Sequence, residues 1–259
     1  PQSCQLTTSS GCDSVAVLNL TINQADTSYT NITTCDSYTW GDSTYTQSGT
    51  YYSNTGLNNN YSMSFEYGVG DDVHINYNPN FNSSKITISF SVFPESYCWS
   101  GNNICQSTPF SRYKSVSGQV IRTGFNENIF FAQISDKHNN TISVSTNTPL
   151  FLNQWSHISF TWDESILKLY LNGVLVDSKH ESFFELKTSG NSGITLGELS
   201  AANGNWYMMD GKIDNVEYWN KALTQREIQQ YMNCPPTGSE SGLVGYWNFE
   251  EGSGNIVYD

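Results

Sequence analysis

The chain has 259 residues, a formal net charge of -13 and 14% aromatic side chains. Its length suits one large β-domain plus a small one, and its Ser, Thr, Asn and Tyr content suits short strands rather than a helical bundle. Eleven Lys and Arg against twenty-four Asp and Glu exclude a nucleic-acid partner, because a phosphate backbone would be repelled. The same acidity fits divalent cations or plain solubility. No apolar run reaches the ~20 residues of a membrane span, so no membrane insertion is expected.

Pro1 to Cys4 is neither basic nor apolar and does not read as a signal peptide; a mature form or an excised piece is expected. Residues 1–56 read as a small β segment. Val15 to Ile22 alternates as a strand. Tyr38 to Trp40 and Thr44 to Thr46 flank a Gly41-Asp42-Ser43 turn as a hairpin, and Thr50 to Tyr52 forms a third strand. Residues 57–259 read as the larger domain. Strands are predicted at Ser62 to Glu66, Asp71 to Ile75 and Lys85 to Phe93, with Ile86, Ile88, Phe90 and Val92 on one face. More follow at Gln119 to Arg122, Asn128 to Ile134 and Thr141 to Ser145. Trp155 to Trp162, Ile166 to Leu171 and Val174 to Val176 are three strands on two tight turns, the second being Asn172-Gly173, the favoured type I′ pair. Ile194 to Glu198 and Gly211 to Trp219 add two strands. Thr224 to Met232 is the one predicted helix, with Thr224 and Glu227 as a capping box and Pro235-Pro236 as its stop. Trp155, Trp162 and Trp219 are expected in the sandwich interior.

The six cysteines form no CxxC pair, which favours disulfides and an oxidising compartment over zinc. Cys98 and Cys105 flank a Gly101-Asn102-Asn103 turn as a local pair. Cys4, Cys12, Cys35 and Cys234 allow three connectivities.

The segments Cys35 to Trp40, Thr44 to Tyr51 and Gly11 to Ile22 resemble repeat units of secreted bacterial surface proteins, in reversed order. A jelly roll inserted within such a repeat would give this order, and on that view Cys4 and Cys234 bracket one junction as partners. Over about residues 60 to 232 the chain resembles the laminin-G/pentraxin-like family, on Ser62 to Phe65, Asp71 to Val73, Ile86 to Pro94, Gln154 to Val176, Ile194 to Gly197 and Gly211 to Ile228. The resemblance implies an all-β, two-sheet antiparallel jelly-roll sandwich of concanavalin A type. Ser89 and Ser159 stand where pentraxins carry a cross-strand disulfide. Family members bind calcium on one rim; at those positions this chain offers Asn126, Glu127 and Glu198, either a weak calcium site or solvated loop acids. Asp71, Asp72 and Asp214 are family-typical and read as turn and strand-end residues.

Gly242 to Asp259 resembles the family's opening strand, although it comes last. Two readings stand: residues 243–249 close this domain, with Leu243, Gly245, Trp247 and Phe249 on one face, or they begin a further domain.

No enzyme is expected. No paired-carboxylate strand motif occurs, and Glu250 and Glu251 are adjacent, so on a strand they would face opposite ways. There is no GxSxG, HExxH or P-loop, and His74, His138, His157 and His180 are scattered. The expected function is a monomeric, extracellular or cell-surface binding and adhesion module within a larger multidomain protein. Its partner would be a polysaccharide or a cell-surface protein, held on a rim or on the concave sheet. Trp206 and Tyr207 beside Asn203 and Asn205, together with Trp99, are the expected sugar-stacking residues. The alternatives are a structural spacer and an accessory domain of a glycoside hydrolase.

Overall fold

The computed structural model describes residues 2–7, 13–19, 29–31, 38–40, 43–45, 61–67, 71–97, 106–114, 118–182, 184–186, 192–199, 207–254 and 256–259; the first five segments and residues 106, 113–114 and 118–120 are described as backbone. The chain divides into two units, Pro1–Asn58 and Asn59–Asp259.

In the first unit β1 (Gln2–Thr7), β2 (Asp13–Asn19) and β3 (Tyr29–Asn31) make a three-stranded antiparallel sheet in that order. β4 (Tyr38–Trp40) pairs with β5 (Ser43–Tyr45), with Tyr38 opposite Tyr45. β1 and β3 had no clear sequence signal, since neither carries an alternating apolar pattern. Thr50 to Tyr52 lies outside the described residues.

The second unit is a sandwich of two antiparallel sheets. Its strands are β6 (Met63–Phe65), β7 (Val73–Ile75), β8 (Ile86–Ser96), β9 (Gln106–Ser107), β10 (Phe110–Lys114), β11 (Gly118–Asn126), β12 (Ile129–Ser135), β13 (Thr141–Ser145), β14 (Ser156–Trp162), β15 (Ile166–Leu171), β16 (Val174–His180), β17 (Ile194–Leu196), β18 (Asp210–Trp219) and β19 (Leu243–Trp247). One sheet runs β13-β12-β11-β10-β17-β7, with β9 beside β11. The other runs β16-β15-β14-β8-β18-β19, with β6 also beside β18. Alternation builds the core between them. Ile86, Ile88, Phe90 and Val92 of β8 and Ile158, Phe160 and Trp162 of β14 meet Phe110, Ile121, Phe125, Phe130 and Ile134 of the facing sheet, all fully buried. In the β15–β16 turn Asn172 and Gly173 have φ of 49° and 72°, the two positive values a type I′ turn demands.

The helix α1 (Gln225–Asn233) starts at a complete capping box of Thr224 and Glu227. It lies on the outer face of the second sheet, where Ile228 and Leu223 pack with Tyr170 and Trp219. Gln225 and Gln229 each donate an Nε2 hydrogen bond to the Gly173 carbonyl, which ties the helix to that hairpin.

Strand phase corrects the expectation for the tryptophans. Trp162 points into the sandwich, but Trp219 is buried on the outer face, beneath the helix. Trp155 is seven residues from Trp162, an odd offset that turns it away from the core; it is 46% exposed and rests on the Phe93 ring at 5.4 Å. Ser89 and Ser159 sit directly opposite on β8 and β14, and their hydroxyls hydrogen-bond to each other.

β19 pairs antiparallel with β18, with Val216 opposite Trp247. A register shift between Tyr218 and Trp219 puts Leu243 with the helix-side cluster, while Gly245, Trp247 and Phe249 are buried. Leu243 therefore does not share the face of the other three, as strict alternation would have it.

Candidate functional site

The helix occupies the outer face of the second sheet. The outer face of the first sheet is built by strand pairing. Arg122 lies between Ile121 and Thr123, both fully buried, so it points outward. In register it faces Gln133 on β12 and Ser111 on β10. Gln133 faces Ser143, Ser111 faces Thr195, and Thr195 faces His74. One row of polar side chains thus crosses six strands, about 24 Å at the usual strand spacing. Beside it, Gly124 faces Phe131, which faces Ser145.

Arg122 is the centre of this face. Its guanidinium carbon lies 4.6 Å from the Tyr207 ring centroid and 5.3 Å from that of Phe131. Such contacts orient a guanidinium against π faces. Burial lowers the Arg122 pKa, and the Tyr207 hydroxyl works in the opposite direction. Tyr207 is set in place by its own backbone: Leu199 N donates to the Tyr207 carbonyl, and Tyr207 N to the Leu199 carbonyl. Phe131 can lean across β11 because position 124 has no side chain; a Cβ there would meet the Phe131 ring at 2.9 Å and the Ser107 carbonyl at 2.8 Å.

Farther along the row, the Thr195 hydroxyl lies 3.2 Å from His74 Nδ1, and His74 Nε2 lies 2.6 Å from Asp72 Oδ2. Glu198 is buried, with its carbonyl accepting from the Ser111 hydroxyl. Its carboxyl pKa is raised by burial and by the charge of Asp72, with His74 pulling the other way.

The expected site residues separate accordingly. Tyr207 and Glu198 come to this face. Asn126 and Glu127 are exposed in the β11–β12 turn, where Glu127 has a φ of 54°. Trp99, Asn203, Asn205 and Trp206 lie outside the described residues. Calcium takes six to eight oxygen ligands. Among the described residues, however, no three His, Cys, Asp or Glu side chains are placed to hold a metal ion. Asp71 accepts the Glu66 N–H and Asp214 the Asn215 N–H, both as local backbone partners. Cys234 is an exposed free thiol. The side chains of Cys4, Cys12, Cys35, Cys98 and Cys105 lie outside the described residues.

Sequence reasoning missed Arg122, Phe131 and Gln133. One signal was present: Phe130 and Phe131 are consecutive in a strand, so one of the two must face outward.

A second recess, of about 490 Å³, opens between the edge strands β7 and β19, with Tyr77, Phe81, Trp247 and Tyr258 in its lining. It shares no residue with the Arg122 platform.

The Laminin_G_3 model, described as the Concanavalin A-like lectin/glucanases superfamily, matches residues 67–229, more than half of the chain. The chain belongs to this concanavalin A-like superfamily. Solved structures with the concanavalin A-like sandwich bear out the architecture. A native heptameric SAP-like pentraxin from Limulus polyphemus superposes with a TM-score of 0.51 at 15% identity, over 67% of this chain and 82% of that one. A structure described as a putative carbohydrate binding protein from Bacteroides ovatus gives 0.54 at 16% identity, over 76% and 52%. A Ruminococcus gnavus sialidase module, CBM40, bound to α2,3 sialyllactose, gives 0.52 at 12% identity, over 65% and 94%. Among curated proteins, mouse pappalysin-1 is 31% identical over 102 residues, 38% of this chain. That match spans only 6% of pappalysin-1.

Proposed function

We propose that this chain is a non-catalytic, extracellular binding and adhesion module that takes a carbohydrate ligand on the outer face of its first sheet, within a larger multidomain surface protein. The observation that carries this reading is the platform of Tyr207, Arg122 and Phe131 set in a row of hydroxyl and amide side chains. Sugars present apolar C–H faces to aromatic rings and hydroxyls to Gln, Ser and Thr, and this surface offers both. Two fold relatives whose descriptions name carbohydrate binding or a bound glycan support the reading at the level of architecture.

A glycan microarray probed with the chain tests it, run once with calcium and once with EGTA. Specific signal is expected for the parent chain, with loss of roughly tenfold or more for Tyr207→Ala and Phe131→Ala, given the 1–3 kcal/mol that buried aromatic and hydrogen-bonding contacts carry. Equal signals in calcium and EGTA would mark Asn126, Glu127 and Glu198 as ordinary loop and sheet acids. A clean negative from the folded chain would leave the spacer role, with the apolar residues serving packing alone.

A further inference from the structure

We propose that His74 sets what the outer face of the first sheet offers a ligand at Thr195: an acceptor while its ring is neutral, a donor once the ring is protonated. A saccharide presenting a neutral oxygen that can only accept, such as an O-acetyl carbonyl, is then held more tightly in acid. The inference rests on the carbohydrate reading above and adds a regulation of the same face. Thr195 lies between Ile194 and Leu196, both buried in the core, so its half-buried side chain points outward. Its register partner His74 is exposed on β7. The imidazole stands between two oxygens: Nε2 is 2.6 Å from Asp72 Oδ2, and Nδ1 is 3.2 Å from Thr195 Oγ1. A bare ring nitrogen at 2.6 Å from a carboxylate oxygen would set lone pair against lone pair, so the neutral ring carries its proton on Nε2. Nδ1 is then an acceptor, and the Thr195 hydroxyl donates to it. With its hydrogen so used, Thr195 turns only lone pairs to a ligand. Protonation of the ring reverses this bond. Nδ1–H donates to Thr195 Oγ1, and the hydroxyl hydrogen swings out toward the ligand, strengthened by the cation behind it. Histidine is the side chain that ordinarily changes charge between about pH 5 and 8. Asp72 touches the ring, Glu198 lies within range of its charge, and the strand neighbours Thr195 and Ser111 carry none. The two carboxylates repel an anionic ligand group, so the acceptor that fits here is a neutral one. A sugar hydroxyl both donates and accepts and meets either state of Thr195; an ester carbonyl meets only the protonated one.

The test is surface plasmon resonance on the whole 259-residue chain at about pH 8 and about pH 5. The probes are O-acetylated xylo-oligosaccharides and O-acetylated glucomanno-oligosaccharides, each before and after alkaline deacetylation. In at least one pair the affinity ratio of acetylated to deacetylated probe is expected to rise roughly threefold or more on going to acid, the usual worth of one hydrogen bond. His74→Gln, which cannot take the charge, and Thr195→Val, which keeps the titrating ring and loses the hydroxyl, are both expected to abolish that rise. A parental melting transition for each variant excludes unfolding as the cause. Nitrogen-15 NMR of the histidine rings checks the starting state without any ligand: at about pH 8 the signal lost in His74→Gln should show a protonated Nε2 and a bare Nδ1. The opposite tautomer overturns the inference. So does a ratio that does not change with pH, a rise that survives either variant, or no binding of the acetylated probes in acid. In each of those cases the carbohydrate reading stands if the glycan microarray gives specific signal, and falls as well if the folded parent binds no glycan at either pH.

Discussion

Two buried titratable groups have opposite effects on stability. Glu217 points to the helix side of β18, in register with Ser89 and Tyr246, and accepts a 2.9 Å hydrogen bond from Trp219 Nε1. Burial pushes its carboxyl up to about 7 from an ordinary 4.5, opposed by the Trp219 bond and helped by the charge of Glu240. The folded chain thus keeps a proton that the unfolded chain releases. The contribution is fully present below about pH 4.5 and is lost as pH rises through about 7. At about 1.4 kcal/mol per pH unit it amounts to about 3 kcal/mol. His157 is half-buried with its Nδ1 shut off from water, and burial holds it down to about 4 instead of 6.5. Its contribution is present above about 6.5 and is lost as pH falls through about 4. Between about pH 4.5 and 6.5 the two offset each other. Thermal melts of the parent are expected to be flat across that window and to fall from 6.5 to 7.5. Glu217→Gln should show stability rising from pH 4.5 to 6.5 and level above it. Identical profiles for parent and variant would mean that folded Glu217 is already ionised.

At the scale of elements, single glycines and caps set what a strand or helix can present. Gly124 is one such position, because the Phe131 ring lies where its side chain would be. Gly124→Ala is expected to push Phe131 off Arg122, weakening ligand binding several-fold and costing about 1–3 kcal/mol of stability by overpacking. Chemical denaturation and binding measured together check this; a variant with parental binding would show that Phe131 does not matter to the ligand. The α1 cap is simpler. Thr224 Oγ1 accepts the Glu227 N–H, and Thr224→Ala should cost about 1 kcal/mol, read as a lower denaturation midpoint. The capping box was legible in the sequence because its four residues are local. The platform was not, because Arg122, Phe131 and Tyr207 are spread over 86 positions, and only the pairing of β11 with β12 and the Leu199–Tyr207 bridge brings them together.

At the scale of the molecule, closure of the sandwich depends on the last strand. Trp247 is buried, lies over Gly245 and joins the core between the sheets, while β19 satisfies the open edge of β18 from Val216 to Trp219. Trp247→Ala is expected to cost about 3–5 kcal/mol. A midpoint within 1 kcal/mol of the parent would show that β19 is an accessory to the sandwich rather than a part of its core.

The sequence by itself determined the strand pattern, the Asn172-Gly173 turn and the capped helix, since each is written in alternation or in a local motif, while the sandwich class followed from the resemblance to the laminin-G/pentraxin-like family. Tertiary structure alone decided which sheet face the helix covers, that Trp155 turns outward while Trp219 lies under the helix, and that Leu243 leaves the face of Trp247. It decided as well that the Arg122 guanidinium lies against the Tyr207 and Phe131 rings. The physical reason is the same throughout. A pleat fixes a side chain's face to within one residue of phase, whereas bulges, register and helix docking set that phase and arise only from long-range pairing.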